Sequence, residues 1–170
     1  MGFMDNFRQD LDENKRSEEA FLAMREAALT AVSALLDEVI GVFGKNPEAE
    51  GIILHPSSFR LQDRSGFYEA KGLEISFPGS KAMVVRPEGL AFGGFSVSLE
   101  FKGCVNNGDY YLLFANGEGR GGRGWCFRAP VVDFPRPKLW SKEILEELLD
   151  YHILGKAASA AAAAGRNQPC

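Results

Sequence analysis

Two histidines and three cysteines are the side chains through which this sequence could act as an enzyme or a metal protein. His55 and His152 lie far apart, and neither has a second histidine at ligand spacing. A zinc site would need carboxylate ligands that the sequence does not place beside them. His55, followed by Pro56, is expected in a loop, and His152 in the last turn of a helix, where a cation suits the helix dipole. We therefore predict neither a metal nor a cofactor.

Nucleophilic catalysis has no recognisable signature in the chain. The sequence contains no G-x-S-x-G segment. Cys104 is expected near a hairpin tip on the polar side of a sheet, where Lys102 could stabilise a thiolate. An inert cysteine is the simpler interpretation, and the three cysteines show no C-x-x-C spacing. An odd number of cysteines suits a reducing compartment. We predict no catalytic residue and favour a non-enzymatic function over an enzymatic one.

A glycine-rich segment at residues 117–124 is the most unusual local feature. Its backbone N–H groups could bind an anion, with Arg120, Arg123 and Arg128 as charge partners. The segment lacks the Gly-Lys-Ser/Thr ending of phosphate loops, and a strand is expected after it instead of a helix. The neighbouring aromatic residues alternate with arginines, as on surfaces that bind single-stranded nucleic acid, although core packing explains them better. A flexible hairpin loop is the alternative interpretation of this segment.

Charge is distributed unevenly over a chain whose net charge is −4. Residues 1–50 contain eleven acidic and five basic side chains, whereas residues 117–142 carry a net charge of +4. Such asymmetry can mark interaction surfaces, or the two regions can compensate each other within one fold. The negative total argues against general nucleic-acid binding. We predict a partner-binding surface at five acidic residues, Glu18, Glu19, Glu26, Asp37 and Glu38.

The element that organises the fold is a predicted hairpin between Phe95 and Phe114. In its first strand, apolar residues from Phe95 to Phe101 alternate with polar ones, which predicts one buried and one solvated side. Asn107-Gly108 favours a two-residue type I′ turn. That turn would pair Phe101 with Phe114 and leave Ser98 on the solvated side.

Two helices flank the predicted strands. Ser17 is a candidate N-cap for a long amphipathic helix that ends near Phe43, because Gly44 and Pro47 are termination signals. Residues 1–16 are expected to form a helical or flexible arm. Ser141 is expected to cap a final helix, which would stop near Gly155. The alanine-rich residues 156–170 are predicted to be a disordered tail.

These elements predict an α+β fold: a long N-terminal helix, a five- or six-stranded antiparallel meander, and a C-terminal helix packed on one face. Residues 17–155 are expected to form a single domain. The expected buried face consists of Leu73, Ile75, Phe95, Val97, Leu99, Phe101, Leu112 and Phe114.

This helix–sheet–helix build is similar to that of small bacterial adaptor, secretion-chaperone and toxin-neutralising proteins, an analogy of architecture that carries little functional weight. The chain shows no apolar run long enough for a membrane span and no apolar core of a signal peptide, so the cytoplasm is the expected location. The predicted function is a protein-interaction module that binds a macromolecule through a charged surface. A ligand-binding or enzymatic domain with a pocket between helix and sheet, and an anion or nucleic-acid binder that uses residues 117–124, remain as alternatives.

Overall fold

The computed structural model describes residues 2–91, 94–115, 124–128 and 138–156. In these residues, the two α-helices lie on either side of a run of seven strands in the order of the sequence. A short 3-10 helix, Pro47–Glu50, joins the first helix to the sheet. The bounds are α1 Phe3–Val42, β1 Ile53–Asp63, β2 Gly66–Phe77, β3 Lys81–Ala91, β4 Gly94–Lys102, β5 Gly108–Ala115, β6 Gly124–Arg128, β7 Lys138–Leu139 and α2 Lys142–His152.

The sheet is a fully antiparallel meander in which every strand pairs with its neighbour in the chain, in the order β1 to β7. Six strands form the body of the sheet, and β7 adds only two residues to one edge. The predicted α+β architecture, with an antiparallel meander between an N-terminal and a C-terminal helix, is therefore confirmed.

The first helix is longer than the sequence predicted at its N-terminal end. It begins at Phe3, so Ser17 lies inside the helix and the prediction that it caps the N-terminus is wrong. Gly2 precedes the first turn, and its N–H donates to the Asp5 carboxylate at 3.2 Å. The C-terminal prediction is confirmed, because Gly44 follows the helix with a φ of +74°. At 40 residues, α1 is about 60 Å long.

The core lies between the two helices and one side of the sheet. The alternation in β4 is confirmed, since Phe95, Val97, Leu99 and Phe101 are all buried. The remaining residues of the predicted buried face also belong to this core, with Phe114 partly buried at its edge. Helix α1 packs against it with four fully buried side chains, which are Ala28, Val32, Leu35 and Val39.

The predicted register of the β4–β5 hairpin is wrong, although the predicted faces are right. Phe101 pairs with Gly108, and Phe114 pairs with Phe95, so the register differs by six residues from the one that a turn at Asn107-Gly108 would set. The turn runs over residues 103–107, and the Asn107 side chain accepts from the Cys104 N–H at 3.1 Å. Because six is an even number, each side chain stays on its predicted face.

Two predictions about single residues are also corrected. His55 does not lie in a loop, because β1 continues through it and Pro56 as the edge strand of the sheet. A proline is tolerated there, since an edge strand has a free side. Ser98 is buried, although it lies on the side of β4 away from the core. Its hydroxyl donates to the Glu88 carboxylate at 2.8 Å, beside an Arg86–Glu100 ion pair of 2.9 Å.

Candidate functional site

The five predicted acidic residues all lie on α1, and all are exposed. Glu19, Glu26 and Asp37 are spaced by seven and eleven residues, close to whole helical turns, so they share one side of the helix. That side points away from the core-facing row of Ala28, Val32 and Val39. Glu18 and Glu38 flank it on either side. We call these five residues the acidic outer face.

The acidic outer face is electrostatically unpaired within the described part of the chain. None of its five carboxylates takes part in an ion pair there, whereas some carboxylates elsewhere do: Glu100 contacts Arg86 and Lys102, and Glu146 contacts Lys142. A row of unpaired carboxylates makes the local electrostatic potential negative. Such a potential attracts a positively charged surface and accelerates encounter with it.

The arginines of the alternative anion site fall outside the described residues. Arg120 and Arg123 belong to residues 116–123, of which the structure gives no description. Arg128 is the last residue of β6, and its side chain is likewise outside the description. The glycine-rich anion site therefore stays a prediction from the sequence.

The polar group that sequence reasoning misjudged is His152, at the C-terminal end of α2. Its position in the last turn is as predicted, but the ring is 1% exposed and stacks on Phe101 with centroids 4.1 Å apart. A buried ring is a poor cation, so the expected electrostatic role at the helix terminus is wrong. A signal was present in the sequence, because His152 continues the apolar side of α2 that Leu145 and Leu148 define.

Both ring nitrogens of His152 are hydrogen-bonded. Nδ1 contacts the Asn106 backbone oxygen, and Nε2 lies 2.8 Å from the Tyr110 hydroxyl oxygen. A carbonyl oxygen can only accept, so the proton is on Nδ1, and Nε2 accepts from Tyr110. Burial lowers the pKa of His152, and the hydrogen bond to Asn106 only partly opposes this effect. Burial likewise raises the pKa of Tyr110.

The His152–Tyr110 pair joins α2 to the sheet instead of facing a substrate. Two further hydrogen bonds tie the same end of α2, from the Asn106 amide to Tyr151 O at 3.2 Å and from Lys81 Nζ to Ile153 O at 2.7 Å. A ring that is fully buried and fully hydrogen-bonded has no free nitrogen to exchange protons with a ligand. We therefore assign the pair a structural role at this joint.

Because His152 is buried as a neutral ring, we expect the protein to lose stability in mild acid. Because the folded-state pKa of His152 is lowered, the neutral ring favours the fold, and its contribution is complete above the unfolded pKa of about 6.5. As pH falls below that value, the free energy of unfolding should decrease until the folded-state pKa is passed. Urea melts between pH 8 and pH 5, roughly the range in which histidine titrates, measure this decrease.

The His152→Gln variant should lose most of this pH dependence, since no ring titrates at the joint. His55→Gln is the matched control, and it should keep the wild-type slope because His55 is exposed. Equal slopes for the wild type and His152→Gln would show that protonation of His152 does not oppose folding.

Asp63 and Tyr68 form a second titratable pair, which is half-buried. This pair connects the end of β1 and the start of β2 to β3. The Asp63 carboxylate accepts from the Tyr68 hydroxyl, the Ser65 N–H and the Leu90 N–H. Burial opposes its ionisation, but these hydrogen bonds outweigh the effect and lower the pKa of Asp63. Burial and the adjacent carboxylate raise the pKa of Tyr68. With its oxygens occupied by protein donors, Asp63 is a structural residue.

Cys104 does not carry the activated thiol that a nucleophile needs. It forms no disulfide bond. Cys104 is half-buried against the core instead of lying on the polar side of the sheet as predicted, and burial raises its pKa. Its sulfur lies 3.3 Å from the Lys102 backbone oxygen. A raised pKa keeps the thiol protonated, which disfavours nucleophilic chemistry.

The described residues contain neither a metal-binding cluster nor a membrane-spanning helix. No group of three or more His, Cys, Asp or Glu residues is arranged there to hold a metal ion. No helix there combines the length and apolar character needed to cross a membrane. Comparison of the chain with protein-family models, curated proteins and solved structures found no match.

Proposed function

We propose that this chain is a non-enzymatic protein-interaction module of the cytoplasm, which binds a protein with a basic surface through the acidic outer face of α1. The observation that supports the proposal is the unpaired state of these five exposed carboxylates within the described residues. Three of them, Glu26, Asp37 and Glu38, lie on or beside the part of the helix whose opposite side packs against the core. Binding of this kind gains association rate from electrostatic attraction.

The packing of α1 against the sheet should increase the affinity for a partner as well as the association rate. From Ala28 to Val39, α1 is anchored by side chains that are fully buried against the sheet. Glu26, Asp37 and Glu38 lie on or beside this anchored part, so they do not have to be ordered when a partner binds. A surface that is already ordered loses less conformational entropy on association.

The test compares the wild type with a variant in which the five carboxylates are neutralised. We expect the fold to be retained, since exposed charges contribute little to stability. Proteins captured from an extract of cells that make the chain should include a basic partner that the variant retains poorly. With that partner purified, association at low salt should be about tenfold slower for the variant, and added salt should reduce the difference. The variant carries Glu18→Gln, Glu19→Gln, Glu26→Gln, Asp37→Asn and Glu38→Gln.

A control variant with the same change of net charge separates the site from the total charge. It neutralises five exposed acids outside the acidic outer face and should associate like the wild type. If both variants slow association equally, net charge alone is responsible. If neither the captured proteins nor the association rate at low salt differ between the wild type and the first variant, the proposal is wrong. The control substitutions are Glu48→Gln, Glu50→Gln, Glu74→Gln, Asp109→Asn and Glu146→Gln.

The alternative of a ligand pocket between helix and sheet has less support. Such a pocket would need polar groups that face the core and are available to a ligand. Two core-facing polar side chains among the described residues, His152 and Tyr110, are hydrogen-bonded to each other. The anion-binding alternative depends on arginines outside the description. Loss of partner binding in an Arg120→Ala and Arg123→Ala double variant would make it the preferred function.

A further inference from the structure

The N-terminal part of α1 is a helix without a covering surface. Every residue from Gly2 to Ala20 is exposed, and helix α1 is continuous from Phe3 onward. We call residues 3–20 the N-terminal extension. It is about 27 Å long. A helix of this length is only marginally stable in water unless other contacts support it.

One side of the N-terminal extension carries large apolar side chains. Phe3, Phe7 and Leu11 follow each other at four-residue spacing and are 78%, 47% and 51% exposed. Met4 lies beside them, and the Phe3 and Phe7 rings stack with centroids 6.0 Å apart. We call these four residues the apolar stripe. Contiguous exposed apolar patches on soluble proteins are often functional, and the larger ones mark interaction sites.

We propose that the apolar stripe pairs with the apolar stripe of a second copy of this chain, with the two helices antiparallel and Phe7 at the twofold axis. The spacing is symmetric about Phe7, because Phe3 and Leu11 each lie four residues from it. In this arrangement, Phe7 contacts its own equivalent and Phe3 contacts Leu11 of the other copy. A twofold interface requires such self-complementarity.

The charges beside the apolar stripe favour the antiparallel direction. Asp10 borders the stripe, and in the antiparallel pair it lies beside the first turn of the other helix, whose N–H groups form the positive end of the helix dipole. In a parallel pair, the two positive ends would lie side by side, and each Asp10 would face its equivalent. The antiparallel pair is therefore the electrostatically complementary one.

Charge also argues against a membrane as the occupant of the stripe. The N-terminal extension contains six acidic residues and three basic ones. Helices that lie on anionic membranes carry basic residues on their polar side. An acidic helix would be repelled by such a surface, which disfavours a membrane as the occupant of the stripe.

The size of the interface predicts a weak dimer. Two facing stripes bury roughly 800 Å², since a fully covered aromatic side chain contributes about 150–250 Å². Stable interfaces bury about 1,200–2,000 Å². We therefore expect a reversible dimer with a Kd of about 10 μM to 1 mM.

Sedimentation velocity of the full chain tests the interface. Between about 5 μM and 500 μM, the weight-average mass of the wild type should rise from monomer toward dimer. Phe7→Asp should stay monomeric, because it places two carboxylates at the twofold axis. Phe67→Asp is the matched control: Phe67 is also exposed, but it lies on β2, so this variant should dimerise like the wild type. A wild type that is monomeric throughout, or an equal response of the two variants, would overturn the proposal.

Disulfide trapping tests the direction of pairing. Under air oxidation, a mixture of Phe3→Cys and Leu11→Cys chains should form a disulfide between positions 3 and 11, and neither variant should cross-link to itself at these positions. Peptide mass mapping distinguishes these bonds from those of the native cysteines. Self-cross-linking at position 3 or position 11 would show a parallel pair and refute the arrangement. Flotation with vesicles that contain about one third anionic lipid should recover no wild-type chain, and recovery that Phe7→Asp abolishes would assign the stripe to a membrane.

Discussion

The Phe101→Ala variant should lose about 3–5 kcal/mol of unfolding free energy, the usual cost of removing a buried phenylalanine ring. Phe101 is buried near the C-terminal end of β4 and contacts both members of the His152–Tyr110 pair. Its removal leaves a cavity and takes away the surface on which the His152 ring stacks. The loss should appear as a lower midpoint in urea melts, with an unchanged slope.

Lys102→Ala is the control for this prediction, because Lys102 is the next residue in β4 and is exposed. Its ion pair with Glu100 lies at the surface, so its loss should cost less than about 1 kcal/mol. If Phe101→Ala cost no more than Lys102→Ala, the assignment of the buried side of β4 would be refuted.

The Gly103→Ala variant should lose about 2–5 kcal/mol, from backbone strain and overpacking together. Gly103 opens the β4–β5 turn with a φ of +65°, where an L-residue is strained. An added Cβ would also lie 2.4 Å from the Ser80 backbone oxygen in the β2–β3 turn. Backbone atoms cannot rotate away as a side chain can, so one of the two turns must shift.

Gly79→Ala separates the two causes. Gly79 has a φ of +85°, but a Cβ added there would have no neighbour within 4 Å. The substitution should therefore cost only the strain of the left-handed conformation, about 1–2 kcal/mol. Equal losses in urea melts of the two variants would mean that the β2–β3 and β4–β5 turns do not pack closely at Gly103.

The sequence predicted the elements whose signals are local. Alternation identified the buried side of β4, Gly44 marked the end of α1, and Ser141 caps α2 with its hydroxyl accepting from Ile144 N–H. Each signal acts within a few residues, so it survives in the folded chain. The same locality explains the error at Ser17, since a good N-cap residue does not stop a helix that has already begun.

Features that depend on contacts between residues far apart in the chain could not be predicted from the sequence. Asn106 is not free to serve a tight turn, because its backbone oxygen accepts from His152 and its amide donates to Tyr151. Those contacts explain why the hairpin register differs from the one that Asn107-Gly108 favours. The sequence placed the five acidic residues of the acidic outer face on one helix, but the common direction of Glu19, Glu26 and Asp37 became visible only when the core-facing side of α1 was known.

The meander order of the strands has a consequence for how the chain folds during synthesis. Each strand finds its partner immediately before or after it, so hairpins can form one after another with little loss of chain entropy. The contacts between α2 and the β4–β5 turn form last, because the residues of α2 that make these hydrogen bonds are synthesised after the whole sheet. Until then, the ring of Phe101 lacks its stacking partner, and the incomplete chain exposes apolar surface at that end. Nascent chains that end before α2 should therefore be the form most in need of a chaperone.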